Sequence, residues 1–568
     1  MPVDAERGRV APGCVVVAGM HRSGTSLTAG LLAALGIDLG RRFVPADSAN
    51  PRGYFEDLAF VDFHRRLFRD CVPKTDGGHP DWGWTSAAAI TAAHAHSRTA
   101  EAMALVARRS ATGRLWGFKD PRATVLLDFW HPLLPAPVYV AVYREPTGVA
   151  DSMQRLGADV FLRDPASARS IWRFYNERLL DFVRRHRDQC VLLNIDALQA
   201  DLARFPALLR ERLGLPVPDA DLSGRFAAEL LRLTDGSETL TRLACHVWGD
   251  CAAIFNELES LADLPGSTAP HSPPFSFAPR RASSELSIVI PTHDDATWLV
   301  EAVASVEECA GEAHEILVLD DGTTDPESLR ILDRLRAAGR PVLRQANAGL
   351  SAARNALIRA ARGRYILPLD ADNRLRPGFI EGALAAFRDD PGLGVVYGDR
   401  ILVGARTGHL QTPDFNLRSI VHRNEIDACA MFRRDLWCDV GGYDTELRGF
   451  EDWEFWLHAG KRRWRFLHLP QVAFEYRVRP DSLLARCRTP AGYRMLRRRL
   501  WQRHADLLLE LTPPAVRAVA RVTPPYPADV RMLRGWQRLV LRGHWHLAWA
   551  RAARCADSGG NGVPGVLA

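Results

Sequence analysis

Residues 14–36 read CVVVAGMHRSGTSLTAGLLAALG, and the parsing of this stretch decides the fold of the first half of the chain. Cys14–Ala18 is a short continuous apolar run, the pattern of a strand buried on both faces in a parallel sheet. From Thr25 onward, Leu27, Leu31, Leu32 and Leu35 recur at helical spacing, and Gly36 closes the run. Between strand and helix lies Gly19–Ser26, GMHRSGTS, with glycines at both ends of a four-residue gap. Such a turn offers free backbone N–H groups and the positive end of a helix dipole, which together suit a phosphate. Arg22 adds charge, Ser23, Thr25 and Ser26 add hydroxyls, and Gly24 lets the backbone approach an anion closely. Thr25 stands where a nucleotide triphosphatase carries lysine, which argues against magnesium-assisted γ-phosphate transfer. Taken alone, the motif also admits a tight turn with no ligand.

Two further stretches favour the ligand. WGFKDPRATVLL places Lys119, Asp120 and Arg122 together ahead of an apolar run. PVYVAVYREPTGVADSM is a second buried strand ending in Arg144, with Ser152 eight residues later on a predicted helix. A guanidinium and a hydroxyl so placed can grip a second phosphate. Singly, Arg144 is equally a salt-bridging surface residue; with the loop, it implies a ligand carrying phosphate at two places.

HRSGTS, KDPR and YREPTGVADS together resemble the sulfotransferases that use 3′-phosphoadenosine 5′-phosphosulfate (PAPS). The resemblance implies that Arg22, Ser23, Gly24, Thr25 and Ser26 hold the 5′-phosphosulfate, and that Arg144 and Ser152 hold the 3′-phosphate. It gives Lys119 a catalytic part. In-line sulfonyl transfer needs cations for the bridging oxygen and a base for the acceptor hydroxyl. Glu56, in NPRGYFEDLAFVDFH, is the candidate base, with Asp57 and His64 as rivals. A carboxylate at a helix N-terminus is the alternative reading of Glu56.

After a Pro- and Ser-rich stretch, LPGSTAPHSPPFSFAPRRASSE (264–285), apolar runs and helical segments alternate regularly. That alternation predicts a mostly parallel, doubly wound sheet with ligands at the carboxyl ends of its strands. VIPTHD, VLDDGTTD, NAGLSAARN and LPLDADN follow in order and resemble the inverting family 2 glycosyltransferases of the GT-A fold. The resemblance implies nucleotide contacts at Asp294, Asp320 and Asp321, and a diphosphate-side helix bearing Arg354 and Asn355. Asp370 and Asp372 would hold a divalent metal, Mg or Mn, that bridges a nucleotide-sugar diphosphate. In GFEDWEFW, Asp452 is the expected base and Glu451 its alternative; Trp453 and Trp456 suit either the core or a sugar's apolar face. In EYRVRPDSL, Arg479 replaces the histidine found in many relatives, and arginine cannot ligate a metal.

The expected organisation is α/β. A P-loop-type parallel-sheet sulfotransferase domain (13–263) is joined by a linker (264–285) to a doubly wound GT-A domain (286–483) and a basic helical tail (484–568). Joined this way, the two transferases would share a glycan or glycolipid acceptor, with the linker as a flexible tether. A P-loop kinase, or a degenerate glycan-binding module, beside an active glycosyltransferase is the alternative. Net charge is +6 over 568 residues, but Leu484–Ala568 holds 15 arginines against 4 acidic residues. The main body is therefore acidic and does not suggest a nucleic-acid partner. Arg531, Arg534, Arg538 and Arg542 form one helical stripe in the tail, beside an apolar stripe that includes Trp536. Such a helix suits either an anionic membrane surface, as peripheral contact, or the body of the protein. No apolar run reaches spanning length, no secretory signal is read at the N-terminus, and the ten cysteines are scattered, so a cytoplasmic protein is expected.

Overall fold

The computed structural model describes residues 13–47, 53–72, 95–156, 166–222, 239–266, 284–310, 314–480 and 495–507, with short pieces between. Most of the linker and the tail stripes around Arg531–Arg542 lie outside the described residues. In the first half, four parallel strands stand in the order Trp116–Lys119, Cys14–Ala18, Pro137–Tyr143, Cys190–Asn194. The central pair is apolar and wholly buried because helices cover both faces. Three of the functional segments predicted for this half leave carboxyl ends: GMHRSGTS after Ala18, KDPR at Lys119, and REPTGVADS after Tyr143; the fourth, with Glu56, lies between the first two helices.

In the second half, Val342–Gln345, Glu315–Asp321, Leu286–Thr292 and Tyr365–Pro368 form the predicted parallel series. Beyond Tyr365–Pro368 the sheet becomes mixed. Met431–Arg433 runs antiparallel, followed by Leu393–Gly404, the long strand Arg465–Val478 and the short Arg374–Leu375. The parallel alternation thus stops halfway across this GT-A-like sheet. Arg465–Val478 brings the EYRVRP segment beside Asp370–Arg374, a pairing that sequence spacing alone does not reveal.

The two halves are not merely tethered. One continuous apolar core includes Tyr143, Val149 and Trp172 from the first and Leu299, Val303 and Leu332 from the second. Arg334 Nη1 donates to His246 O at 2.9 Å, Phe277 N donates to Ala338 O at 2.9 Å, and Arg340 lies over the Phe277 ring at 4.1 Å. The expected flexible tether is therefore corrected: burial of shared apolar surface, rather than linker length, fixes the spacing of the halves. Among the described residues the cysteines are free thiols, and no helix is long and apolar enough to cross a membrane.

Candidate active sites

The helix Thr25–Ala34 begins at Gly24 without a side-chain cap, which leaves its first-turn amides open to an anion. Gly24 has φ 87°, and a Cβ there would lie 2.2 Å from Ile195 Cγ1. Arg22 itself takes φ 65°, a strained setting for a non-glycine residue. Its Nε donates to Ser152 Oγ at 2.8 Å. Burial, together with the nearby charges of Arg155 and Arg144, lowers the pKa of the Arg22 guanidinium. Arg144 is 3% exposed and has no ion pair among the described residues. Cations gathered so closely are stabilised by an anion placed among them. Ser23 Oγ is buried without a hydrogen-bond partner among the described residues, an orphaned donor that an anion's oxygen would satisfy.

Lys119 closes the other side of the loop. Its Nζ donates to Glu56 Oε1 at 2.6 Å and to Ser26 Oγ at 3.2 Å, while Arg122 Nη2 donates to Glu56 Oε2 at 3.0 Å. Glu56 is 6% exposed and precedes the helix Leu58–Cys71. The N-cap role falls to Asp57, whose carboxylate accepts from Ala59 N at 2.9 Å. Glu56 is thus spared for the site, and its neighbour Phe55 carries φ 54°. His64 is wholly buried: it meets Asp120 through Nδ1 at 2.8 Å and accepts from Trp130 Nε1 at Nε2 at 2.9 Å. Both ring nitrogens are occupied, so His64 serves the frame under KDPR and has no lone pair for an acceptor hydroxyl.

At the second site, Asp294, with φ 54°, accepts from Thr324 N at 2.7 Å and Asp325 N at 2.9 Å. Asp320 Oδ2 has no hydrogen-bond partner among the described residues and faces Arg344 Nε at 3.3 Å. Asp321 takes the amides of Ala348 and Gly349 at 2.9 and 2.8 Å, so its carboxylate shapes the loop that starts the Arg354 helix. Asn355 is spent likewise, since its amide spans Tyr443 O and Tyr443 N at 2.8 and 2.9 Å. Arg354 is the hub. Its Nη1 donates to Glu451 Oε1 at 2.7 Å and its Nη2 to Asp370 Oδ1 at 2.5 Å, which ties the LDADN turn to the GFEDW helix.

Asp452 stands apart from that ion pair and, among the described residues, accepts only from Asn424 Nδ2 at 3.1–3.2 Å and its own helix's Trp453 N. Burial first, then Glu451 and Asp427, push its pKa up to about 7. Burial likewise lifts Asp372 to about 7, although Arg479 lies 3.4 Å away. Asp370 and Asp372 offer two carboxylates at a strand end, and no larger His, Cys or acidic cluster suited to a metal occurs among the described residues. Two carboxylates fit a Mg-type ion whose remaining ligands are waters and substrate phosphates. Arg479, which also meets Asp295 Oδ2 at 3.0 Å, adds fixed positive charge beside them.

Trp453 and Trp456 are 1% and 0% exposed and pack inside the core, so the sugar-stacking alternative for them is corrected. The helix Glu451–Lys461 turns that face inward and leaves its acidic first turn at the site. Sequence reasoning missed Asn424, Asp427 and Tyr476. Tyr476 lies in the field of Asp427, Asp370, Asp372 and Asp452, though burial is the main reason its pKa is raised. The signal available for the first two was NEID, two polar side chains three apart ahead of the buried strand Met431–Arg433.

A loop of amides and arginines on a parallel sheet, followed by an acidic cleft on a GT-A-like sheet, defines a fusion of two group-transfer domains. Residues 12–219 match the Sulfotransferase family and residues 287–439 match Glycosyl transferase family 2, in the order the motifs predict. An uncharacterized protein of Sinorhizobium fredii is 30% identical over 209 residues, which covers 35% of this chain and 23% of that protein. Chondroitin synthase of Escherichia coli is 30% identical over 198 residues, covering 33% of this chain and 28% of that enzyme. The match therefore spans less than a third of either curated relative. A crystal structure of S. aureus TarS in complex with UDP-GlcNAc shares 22% identity at a TM-score of 0.32, over 38% of this chain and 65% of that one.

Proposed function

We propose that the chain carries two activities: sulfo transfer from PAPS in the first half and inverting sugar transfer from a nucleotide sugar in the second, both onto glycan acceptors. The observation that carries the first reading is the junction of Lys119, Glu56 and Ser26 beside Arg22 and Ser152. In that step the acceptor oxygen bonds to sulfur as the sulfur's bond to the bridging phosphate oxygen breaks. Glu56 takes the hydroxyl proton, and Lys119 spreads the charge that develops on the bridging oxygen. Arg144 supplies for the 3′-phosphate a buried guanidinium that has no ion pair among the described residues.

In the second half the acceptor oxygen attacks the anomeric carbon from the face opposite the diphosphate, which inverts that carbon. Asp452 takes the proton, while Arg354 holds Asp370 and Glu451 in place. Asp370 and Asp372 would hold a divalent cation, which neutralises diphosphate charge when bound. Arg479 supports the same leaving group from the protein side.

Separate losses test the assignment. With radiosulfur-labelled PAPS and radiolabelled nucleotide sugars, the wild-type chain is expected to label glycan with both. Asp370→Asn should lose the sugar label and keep the sulfate on a preformed glycan; Arg144→Ala should do the reverse. Loss of both labels from one substitution, in folded protein, would contradict two independent sites.

A further inference from the structure

Arg477 lies on the long strand Arg465–Val478, is 5% exposed, and has every guanidinium nitrogen engaged. Its Nε donates to the backbone oxygen of Asp372 at 3.0 Å, and its Nη2 to Glu301 Oε2 at 2.5 Å. The third nitrogen, Nη1, crosses to the other half of the chain and donates to Gln154 Oε1 at 2.9 Å. The guanidinium stacks on the Trp298 ring at 4.0 Å, and the Arg477 amide donates to Asn373 Oδ1 at 3.0 Å. Gln154 is 4% exposed and ends the helix Pro146–Gln154, two residues beyond Ser152, the partner of Arg22. The same helix also sends Asp151 to Arg374 Nη1 at 3.6 Å, and Arg374 lies two residues beyond Asp372. One buried contact and one partly exposed ion pair therefore join the helix behind the loop of the first site to the Asp-x-Asp turn of the second.

A planar guanidinium locked on three sides and stacked on a fourth has little room to follow one neighbour without moving another. Ligand that settles Asp370 and Asp372 fixes Arg477 through the Asp372 carbonyl, and Arg477 then fixes the end of the helix that presents Ser152. From this we infer that Arg477 is a positioning residue shared by both sites, so that a nucleotide bound at one tightens binding at the other. The inference rests on the two-nucleotide reading above. Linkage makes the effect reciprocal, and a working coupling is on the order of 5-fold or more in Kd.

Calorimetry on the full chain tests it, with 3′,5′-ADP as one probe and, with Mn²⁺, whichever of UDP or GDP binds as the other. The expected result is 3′,5′-ADP binding that tightens about 5-fold or more when the nucleoside diphosphate is saturating, with the same factor in the reverse titration. Gln154→Ala removes the bond that Arg477 makes across the halves and leaves the longer Asp151–Arg374 pair, so each probe should bind alone as in wild type while the coupling falls toward 1. Arg477→Lys, which keeps the charge but cannot span three partners, should also lose it. Binding of both probes with no coupling, or coupling unchanged in Gln154→Ala and Arg477→Lys, would overturn this proposal and leave the two-site reading standing. Failure of the wild-type chain to bind one of the probes would overturn the assignment of that site and this inference with it.

Discussion

Asp452→Asn is expected to lower the rate of sugar transfer by about 10² to 10⁴-fold while leaving nucleotide binding nearly unchanged, because in the proposed mechanism Asp452 takes the acceptor's proton and Asp370 and Asp372 face the diphosphate. Glu451 is committed to the bridge that Arg354 makes from it, at 2.7 Å, to Asp370, while Asp452, among the described residues, is held by the neutral amide of Asn424 and a backbone N–H. The pH profile follows from the same environment. Burial and the neighbouring Glu451 and Asp427 disfavour the charged form of Asp452 and raise its pKa to about 7. A base must be deprotonated to act, so kcat/KM should climb with pH, level off above about 7 and fall as pH drops below it. Initial rates of nucleoside diphosphate release from acid to alkaline pH measure this. Glu451→Gln should instead disturb Arg354 and Asp370, lowering stability and leaving the inflection in place.

Lys119→Ala is expected to lower sulfo transfer by about 10² to 10³-fold, the range for removing one preorganised donor from developing charge. Lys119 is 2% exposed and joins the loop to Glu56, so its loss removes the cation proposed to meet the bridging oxygen. Arg122 still pairs with Glu56 Oε2 at 3.0 Å, which protects the fold from an unpaired buried carboxylate. The effect should therefore fall on kcat more than on the affinity for 3′,5′-ADP, and sugar transfer by the same preparation should remain intact. An equal loss in both reactions would mean that the substitution damaged the fold.

The parts legible in the sequence are the local ones. GMHRSGTS announces itself because strand, glycine turn and helix are consecutive, and LPLDADN does so for the same reason. Lys119 and Glu56 come from separate motifs, yet each sits at a place its own neighbours define. The sequence is silent where partners are distant. Gln154 and Arg477 lie 323 residues apart, and nothing in either segment marks them as a pair. Arg122 stands in the KDPR motif, but its role emerges only once Glu56 is folded against it. Trp453 and Trp456 show the converse: a pattern that fits both a core and a sugar shelf is decided by which helix face the sheet covers. The antiparallel turn of the second sheet was illegible for a similar reason, since Met431–Arg433 is too short to declare its direction.

In the proposed function, GMHRSGTS and Arg144 hold a nucleotide with phosphate at both the 3′ and 5′ positions. Calorimetric titration of the full chain with 3′,5′-ADP, against 5′-ADP and without added metal, tests it most directly. Binding is expected to depend on the 3′-phosphate and to weaken by about 2–5 kcal/mol in Arg144→Ala, the range for truncating one partner of a buried charge pair. Equal binding of the two nucleotides, or a strict requirement for magnesium, would contradict it.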